Sequence, residues 1–292
     1  MSDIATPKRT QAILKKFDLN AKKSLGQNFI IDRNILMNMI AAGGVDSQKT
    51  VIEIGPGIGA LTEQIAKVAK QVYAFEIDER MLKVLAETLK PYDNVTVFHQ
   101  DVLAVDWASF QKEYLAPDEQ VIVLANLPYY ITTPILMDLF ESELPFSKIV
   151  VMMQKEVAAR LQAEPGTKAY GSLSIAVQRQ MSVEVLFEVS PNVFNPRPNV
   201  TSAVIAFTPL KKPLITKDEA FTTRLVRASF AQRRKTLWNN LRIFYKKDQE
   251  KLRQVKYVLK MLHIDPSRRA ETLSVHEFVE LSNALIQNNS KK

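Results

Sequence analysis

From residue 50 to about residue 160 the chain alternates between two apolar patterns. TVIEIG, QVYAFEI, NVTVFHQ, QVIVLAN and KIVVMMQ are short apolar runs with little polar alternation. Between them, stretches such as LTEQIAKVA and RMLKVLAETL place apolar residues three and four apart. Runs of the first kind predict strands buried on both faces. With helices between them, they predict a parallel sheet with right-handed crossovers. VEVLFEV and TSAVIAFTPL predict two more strands, joined by PNVFNPRPN, a loop stiffened by its prolines. Beyond Lys211-Lys212-Pro213 the β-runs stop. AFTTRLVRASFAQRRKTLWNNLRIF, EKLRQVKYVLKMLHI and SVHEFVELSNALI all have helical spacing. Ahead of the sheet, Thr6 and Pro7 predict the start of a short basic helix over 7–17. Asp32 predicts the start of another, ending at Gly43-Gly44. The expected organisation is a basic arm over 1–21, an α/β domain over 22–210 and a helical domain over 211–292.

Composition narrows the chemistry. The chain has 292 residues, 46% apolar and 24% charged, an ordinary globular balance. It has no cysteine, which excludes disulfides, thiolate nucleophiles and Cys-ligated zinc. His99, His263 and His276 lack metal-ligand spacing, so no metal is expected. The longest apolar runs are too short to span a bilayer, and MSDIATPKRTQ has no apolar signal core. A cytoplasmic protein without membrane attachment is expected. Charge is uneven: residues 1–210 carry 20 basic and 23 acidic side chains, residues 211–292 carry 19 and 8. A small helical domain with that excess attracts polyanions. Its Arg233-Arg234-Lys235 run, close to Phe230 and Trp238, is the candidate for phosphate contact with such a partner; contacts of this kind position a nucleic acid rather than read it.

The candidate chemistry starts at a glycine cluster. Three of the eight glycines fall within five residues, Gly55-Pro56-Gly57-Ile58-Gly59, directly after TVIEI and before ALTEQIAKVA. A strand, a Gly-rich turn and a helix form the nucleotide-like ligand site of a doubly wound sheet. Glu76 ends the next strand, where a carboxylate accepts hydrogen bonds from ribose hydroxyls. Asp101 ends the third strand, within reach of an adenine rim. The spacing G-x-G-x-G, with Pro56 removing a donor, suits a pyrophosphate poorly. Glu53, two residues before the turn, suits a cationic ligand. S-adenosylmethionine fits better than a dinucleotide, so an NAD-linked oxidoreductase is disfavoured.

Asn126-Leu127-Pro128-Tyr129 closes the fourth predicted strand. An exocyclic adenine amine is a weak nucleophile, because its lone pair is delocalised into the ring. Two acceptors aimed at its N–H bonds would draw the nitrogen toward sp³ and expose that lone pair. The Asn126 side-chain oxygen and the Leu127 carbonyl are the expected acceptors; Pro128 biases Leu127 to an extended conformation and so directs its carbonyl. Tyr129 offers a stacking face. Methyl transfer then needs positioning more than a strong base.

KKSLGQNFIID, EIGPGIGALT, FEID, QDVL, NLPYYITTPIL, PNVFNPRPNVTSAV and SFAQRRKTLWNNL occur in this order along the chain. In this ordered set the chain resembles the ribosomal RNA adenine dimethyltransferases, and most closely the small-subunit type whose loss gives kasugamycin resistance. The resemblance runs from about Lys22 to the last helix. It implies a Rossmann-like class I methyltransferase domain with a seven-stranded, mostly parallel sheet whose last strand is antiparallel, followed by a small all-helical domain. It implies S-adenosylmethionine-dependent transfer of four methyl groups, two to N6 of each of two adjacent adenosines. The implied substrate is a hairpin loop near the 3′ end of 16S rRNA in the immature 30S subunit, with no obligate protein partner. By motif position, Asn28 and Ile30 should contact the methionine part of the cofactor. The turn at Gly55 and Gly57 should line it, with Glu76 on the ribose and Asp101 on the adenine. Asn126 should lie between cofactor and amine, with Tyr129 and Phe194 holding the base. The alternatives are a large-subunit rRNA adenine methyltransferase, or an assembly factor in which binding rather than methylation carries the role.

Overall fold

Seven strands form the central sheet of the protein, here a computed structural model describing residues 3–19, 27–128 and 130–289. They are β1 (Thr50–Ile54), β2 (Gln71–Glu76), β3 (Val95–His99), β4 (Val121–Asn126), β5 (Phe146–Gln154), β6 (Met181–Val189) and β7 (Ser202–Pro209). Their spatial order is β3-β2-β1-β4-β5-β7-β6. β1 to β5 run parallel to one another, and β7 runs antiparallel to β5. β1, β4 and most of β5 are buried along their length, which is why their sequences show no polar alternation. The strand order reverses between β1 and β4, so the crevice at their carboxyl ends lies at the switch point of a doubly wound sheet.

The chain forms two compact units, 1–158 with 184–208, and 159–183 with 209–292. This departs from a single boundary near 210, because residues 159–183 belong with the helical unit. Their apolar side chains Ala163, Tyr170 and Ile175 join its core with Leu225, Leu237, Val258 and Phe278. The Arg179 guanidinium pairs with Glu219, and the Leu214 N–H donates to the Arg179 carbonyl. The main helices of this unit are Glu219–Ser229, Leu237–Phe244, Gln249–Met261 and Val275–Asn289.

The N-terminal residues also differ from a free basic arm. The helix Pro7–Lys16 starts as expected, with the Thr6 hydroxyl accepting from the Arg9 N–H. However, Ile4, Ala5 and Ile13 are buried in the core of the first unit, and the Ile4 N–H donates to the buried Glu63 carboxylate at 2.8 Å. One face of the arm is thus structural. Lys22 and Lys23 lie outside the described residues.

The Gly turn is built on positive φ. Gly55, Gly57 and Gly59 have φ of 69°, 58° and 88°. Gly59 is constrained twice, since a Cβ there would also sit 3.1 Å from Leu89 Cδ2 and 3.2 Å from Thr88 Oγ1. Gly59→Ala should therefore destabilise the unit by about 2 kcal/mol or more. Urea unfolding of the full chain measures this, and a change within about 0.5 kcal/mol would contradict the stated constraint.

Candidate active site

The carboxyl ends of β1 to β4 open into one cavity of about 1120 Å³, measured to its open mouth. Parallel register fixes this edge: Ile54 is level with Phe75 and Ala125, and Glu76 with His99. The wall includes Asn28, Ile30, Gly55, Gly57, Glu76, Asp101, Asn126 and Leu127, so eight separately predicted residues meet in one place.

Glu76 holds the turn in shape. Its carboxylate accepts from the Gly57 N–H at 3.1 Å and from the Asp78 N–H at 2.8 Å. Burial raises its pKa, and these backbone donors oppose the rise. Each oxygen retains a lone pair for a further donor. Asp101 is only half-buried and accepts from the Leu103 N–H at 3.0 Å. Glu53 is different: it is 1% exposed, and its Oε2 has no hydrogen-bond partner. Burial pushes its carboxyl up to about 8, the Thr62 hydroxyl counteracts part of this, and the Glu76 charge adds to it.

At the end of β4, the Asn126 Nδ2 donates to the Asn28 carbonyl at 3.2 Å, which leaves Oδ1 as the group to accept from a ligand. The Leu127 N–H donates to the Met152 carbonyl at 3.1 Å. The Pro128 carbonyl accepts from the Ile131 N–H and the Thr132 hydroxyl. Both sides of the Leu127 peptide are thereby pinned, while among the described residues no donor reaches the Leu127 carbonyl. Tyr129 lies outside the described residues.

Two of the predicted sites do not lie on the cavity wall. The Phe194 ring is 4% exposed, packs in the core cluster that also holds Phe29 and Ile30, and does not line the cavity. The cause is a short antiparallel pairing that sets Ile30 against Phe194 and Phe29 against Asn195. In this position the ring offers no free face to a base; it fastens the segment that carries Asn28. In the second unit, Arg233-Arg234-Lys235 occupies a turn rather than a helix. The break follows from Thr236 capping the next helix and from the buried Asn240 Nδ2 donating to the Ser229 and Gln232 carbonyls. Arg233 is engaged internally, pairing with Glu271 at 2.9 Å and donating to the Tyr170 carbonyl. Arg234 and Lys235 are exposed.

The sequence did not mark Gln27, which Asp78 and Arg80 hold in place. Gln27 lines the cavity and donates through Nε2 to Asp78 at 2.9 Å. Asp78 also accepts from Arg80, and this pairing pulls its carboxyl down to about 2. Asp78 caps the helix Glu79–Thr88, and its place two residues after Glu76 was the available signal. Gln100, Ile77 and Tyr130 also line the cavity, the last two largely exposed.

The wall carries three carboxylates and, among the described residues, no Lys, Arg or His. A Cβ on Gly55 would meet nothing within 4 Å, so ligand atoms can approach its backbone closely. The donor set fits a phosphate-free adenosyl ligand with a cationic end and disfavours a pyrophosphate. Among the described residues no group of three His, Asp or Glu side chains could hold a metal ion.

The strand order with an antiparallel β7 is the architecture of the class I methyltransferases. Residues 18–286 match the family described as Ribosomal RNA adenine dimethylase, and the chain belongs to that family. It is 55% identical over 287 residues to the Ribosomal RNA small subunit methyltransferase A of Enterococcus faecalis, covering 98% of this chain and 97% of that protein. It is 54% identical to the protein of the same name from Bacillus licheniformis, covering 97% of each. A dimethyladenosine transferase from Plasmodium falciparum superposes with a TM-score of 0.74 at 26% identity, over 90% of this chain and 98% of that one. The 23S rRNA methyltransferase ErmE has a TM-score of 0.66 at 24% identity, over 89% and 100%, a likeness of fold alone.

Because the folded protein raises the Glu53 pKa above its ordinary value of 4.5, the folded state binds the extra proton. Stability from this group is complete below pH 4.5 and is lost as pH rises toward 8. Glu53→Gln should remove that loss, stabilising the ligand-free protein at pH 8 by on the order of 4 kcal/mol relative to the wild type, with little difference at pH 4.5. Denaturant unfolding across this range measures it; parallel pH profiles would contradict the burial of an uncompensated carboxyl.

Proposed function

We propose that the protein is an S-adenosylmethionine-dependent 16S rRNA adenine N6,N6-dimethyltransferase acting in small-subunit biogenesis. The observation that carries this reading is the meeting of Asn126, the Leu127 carbonyl and three carboxylates in one cation-free cavity. The full-length likeness to small-subunit methyltransferases supports the 16S substrate over a large-subunit one.

S-adenosylmethionine, when bound, supplies an electrophilic methyl carbon on a sulfonium. Glu76, held by Gly57 and Asp78, receives the ribose hydroxyls. Asp101 meets the adenine edge, and Asn28 and Ile30 border the methionine end. Asn126 Oδ1 and the Leu127 carbonyl accept the two N–H bonds of the target amine and turn its lone pair toward the methyl carbon. Their pinned backbone means that little reorganisation is needed at the moment of transfer. Tyr129 is proposed to stack the target base, while Phe194 positions the Asn28 segment from the core. The target adenosine must be unpaired or flipped to enter. Arg234 and Lys235, with the other cations of the 211–292 segment, provide phosphate contacts, and the substrate is the rRNA within an immature 30S particle in the cytoplasm.

The direct test is incubation of the protein with labelled cofactor and undermethylated 30S particles, followed by analysis for 6,6-dimethyladenosine. Asn126→Ala should lower the transfer rate about 10²- to 10³-fold while leaving particle affinity nearly intact, as read by single-turnover kinetics and sedimentation. A variant retaining more than a tenth of the rate would remove Asn126 from the proposed role. Glu76→Ala should raise the cofactor requirement at least tenfold and leave the RNA requirement nearly unchanged, measured as KM for each; equal effects would count against the ribose assignment.

A further inference from the structure

Resting on the reading of the cavity as a site of adenine methylation, we propose that Tyr130 stands at its mouth as a stacking platform for the nucleotide next to the target, taking the place that the flipped adenosine vacates. Of the Phe, Tyr and Trp side chains described in the first unit, Tyr130 is the only one largely in solvent, at 57% exposed. A lone exposed aromatic is ordinary on a protein surface. The position of this one is not: it lines the cavity, three residues after Leu127, whose carbonyl is one of the two acceptors proposed for the target amine.

The backbone under the ring is fixed. Tyr130 lies in the turn closed by the Ile131 N–H on the Pro128 carbonyl at 3.2 Å, and the Thr132 hydroxyl donates to the same carbonyl at 2.9 Å. Leu127 before the turn and Thr132 after it are both buried, and the helix Thr132–Glu141 starts directly behind. The ring between them is thus presented to solvent on a rigid support. Among the described residues nothing hydrogen-bonds its hydroxyl and no other ring packs against it.

An adenosine that enters the cavity leaves its strand, and the neighbouring base loses a stacking face. That neighbour stays outside, at the mouth. Among the described residues the wall brings no Lys, Arg or His, so nothing there holds the strand by its phosphates. What the mouth offers instead is an aromatic face, to which a base of any identity can stack. The two target adenosines are adjacent, so a ring that stacks on one side of the target meets an adenosine in one of the two transfers.

The test uses the full chain and undermethylated 30S particles of three kinds: one with both adenosines, and two in which one or the other is abasic. Single-turnover methyl transfer against particle concentration separates half-saturation from limiting rate. With both adenosines present, Tyr130→Ala and Tyr130→Leu should each raise half-saturation about tenfold, whereas Tyr130→Phe and Tyr130→Trp should stay within about twofold of the wild type. In one of the abasic particles the wild type and Tyr130→Ala should converge, because the base that the ring would meet is gone. Equal Tyr130→Ala penalties in all three particles would overturn the inference. So would a Tyr130→Phe penalty as large as that of Tyr130→Ala, which would assign the hydroxyl, or a matching loss of S-adenosylhomocysteine affinity in calorimetry, which would assign the ring to the cofactor. An effect confined to the limiting rate would place the ring on the target base and overturn it as well. If Tyr130→Ala fails to fold, Tyr130→Leu carries the same comparison. A wild-type protein that forms no 6,6-dimethyladenosine on the intact particle would instead overturn the proposed function itself.

Discussion

Three acidic side chains share one cavity, and the protein answers each charge differently. Glu76 receives two backbone N–H groups, Asp101 remains partly in water, and Glu53 keeps an Oε2 that nothing reaches. A cleft of this kind is hostile to phosphate and incomplete without a cation. The hydrogen bond from Gly57 to Glu76 also sets the geometry of the turn, because it draws the backbone after β1 onto the end of β2. The positive φ angles of Gly55, Gly57 and Gly59 let the chain make that attachment and then enter the helix Ala60–Ala66.

The acceptor pair at the end of β4 rests on a different kind of support. Asn126 is oriented by the carbonyl of Asn28, and Leu127 by the carbonyl of Met152. Asn28 precedes the two-residue strand fastened to Phe194 and Asn195, and the Ile31 N–H adds a bond to the Val193 carbonyl. Segments about 100 and 165 residues apart in sequence thus act together on one amide, and none of them can move without disturbing its aim.

Local patterns were legible in the sequence. The buried strands declared themselves by unalternated apolar runs, the Gly turn by its place between strand and helix, and the helix starts at Pro7 and Arg33 by Thr6 and Asp32. Long-range choices were not. Nothing in YGSLSIAVQ marks that Tyr170 and Ile175 enter the helical core, and nothing near Ile4 marks Glu63 as its partner. The Phe194 side chain is apolar whether it stacks or packs, so only its pairing with Ile30 distinguishes the two. The helical spacing across residues 220–244 concealed a turn, because Asn240 closes the exposed carbonyls from a distance that periodicity does not register.

The path of the chain through the sheet carries a consequence for synthesis. β7 slots between β5 and β6, and the ribbon at Phe194 must be made before Phe29 and Ile30 have a strand to pair with. Phe29 and Ile30 lack their strand partner until residues 194 and 195 have been made, whereas Ile4 finds Glu63 and Asn28 finds Asn126 much sooner. The residues that line the pocket, 27 to 135, are therefore all made before the ribbon that fastens their first segment.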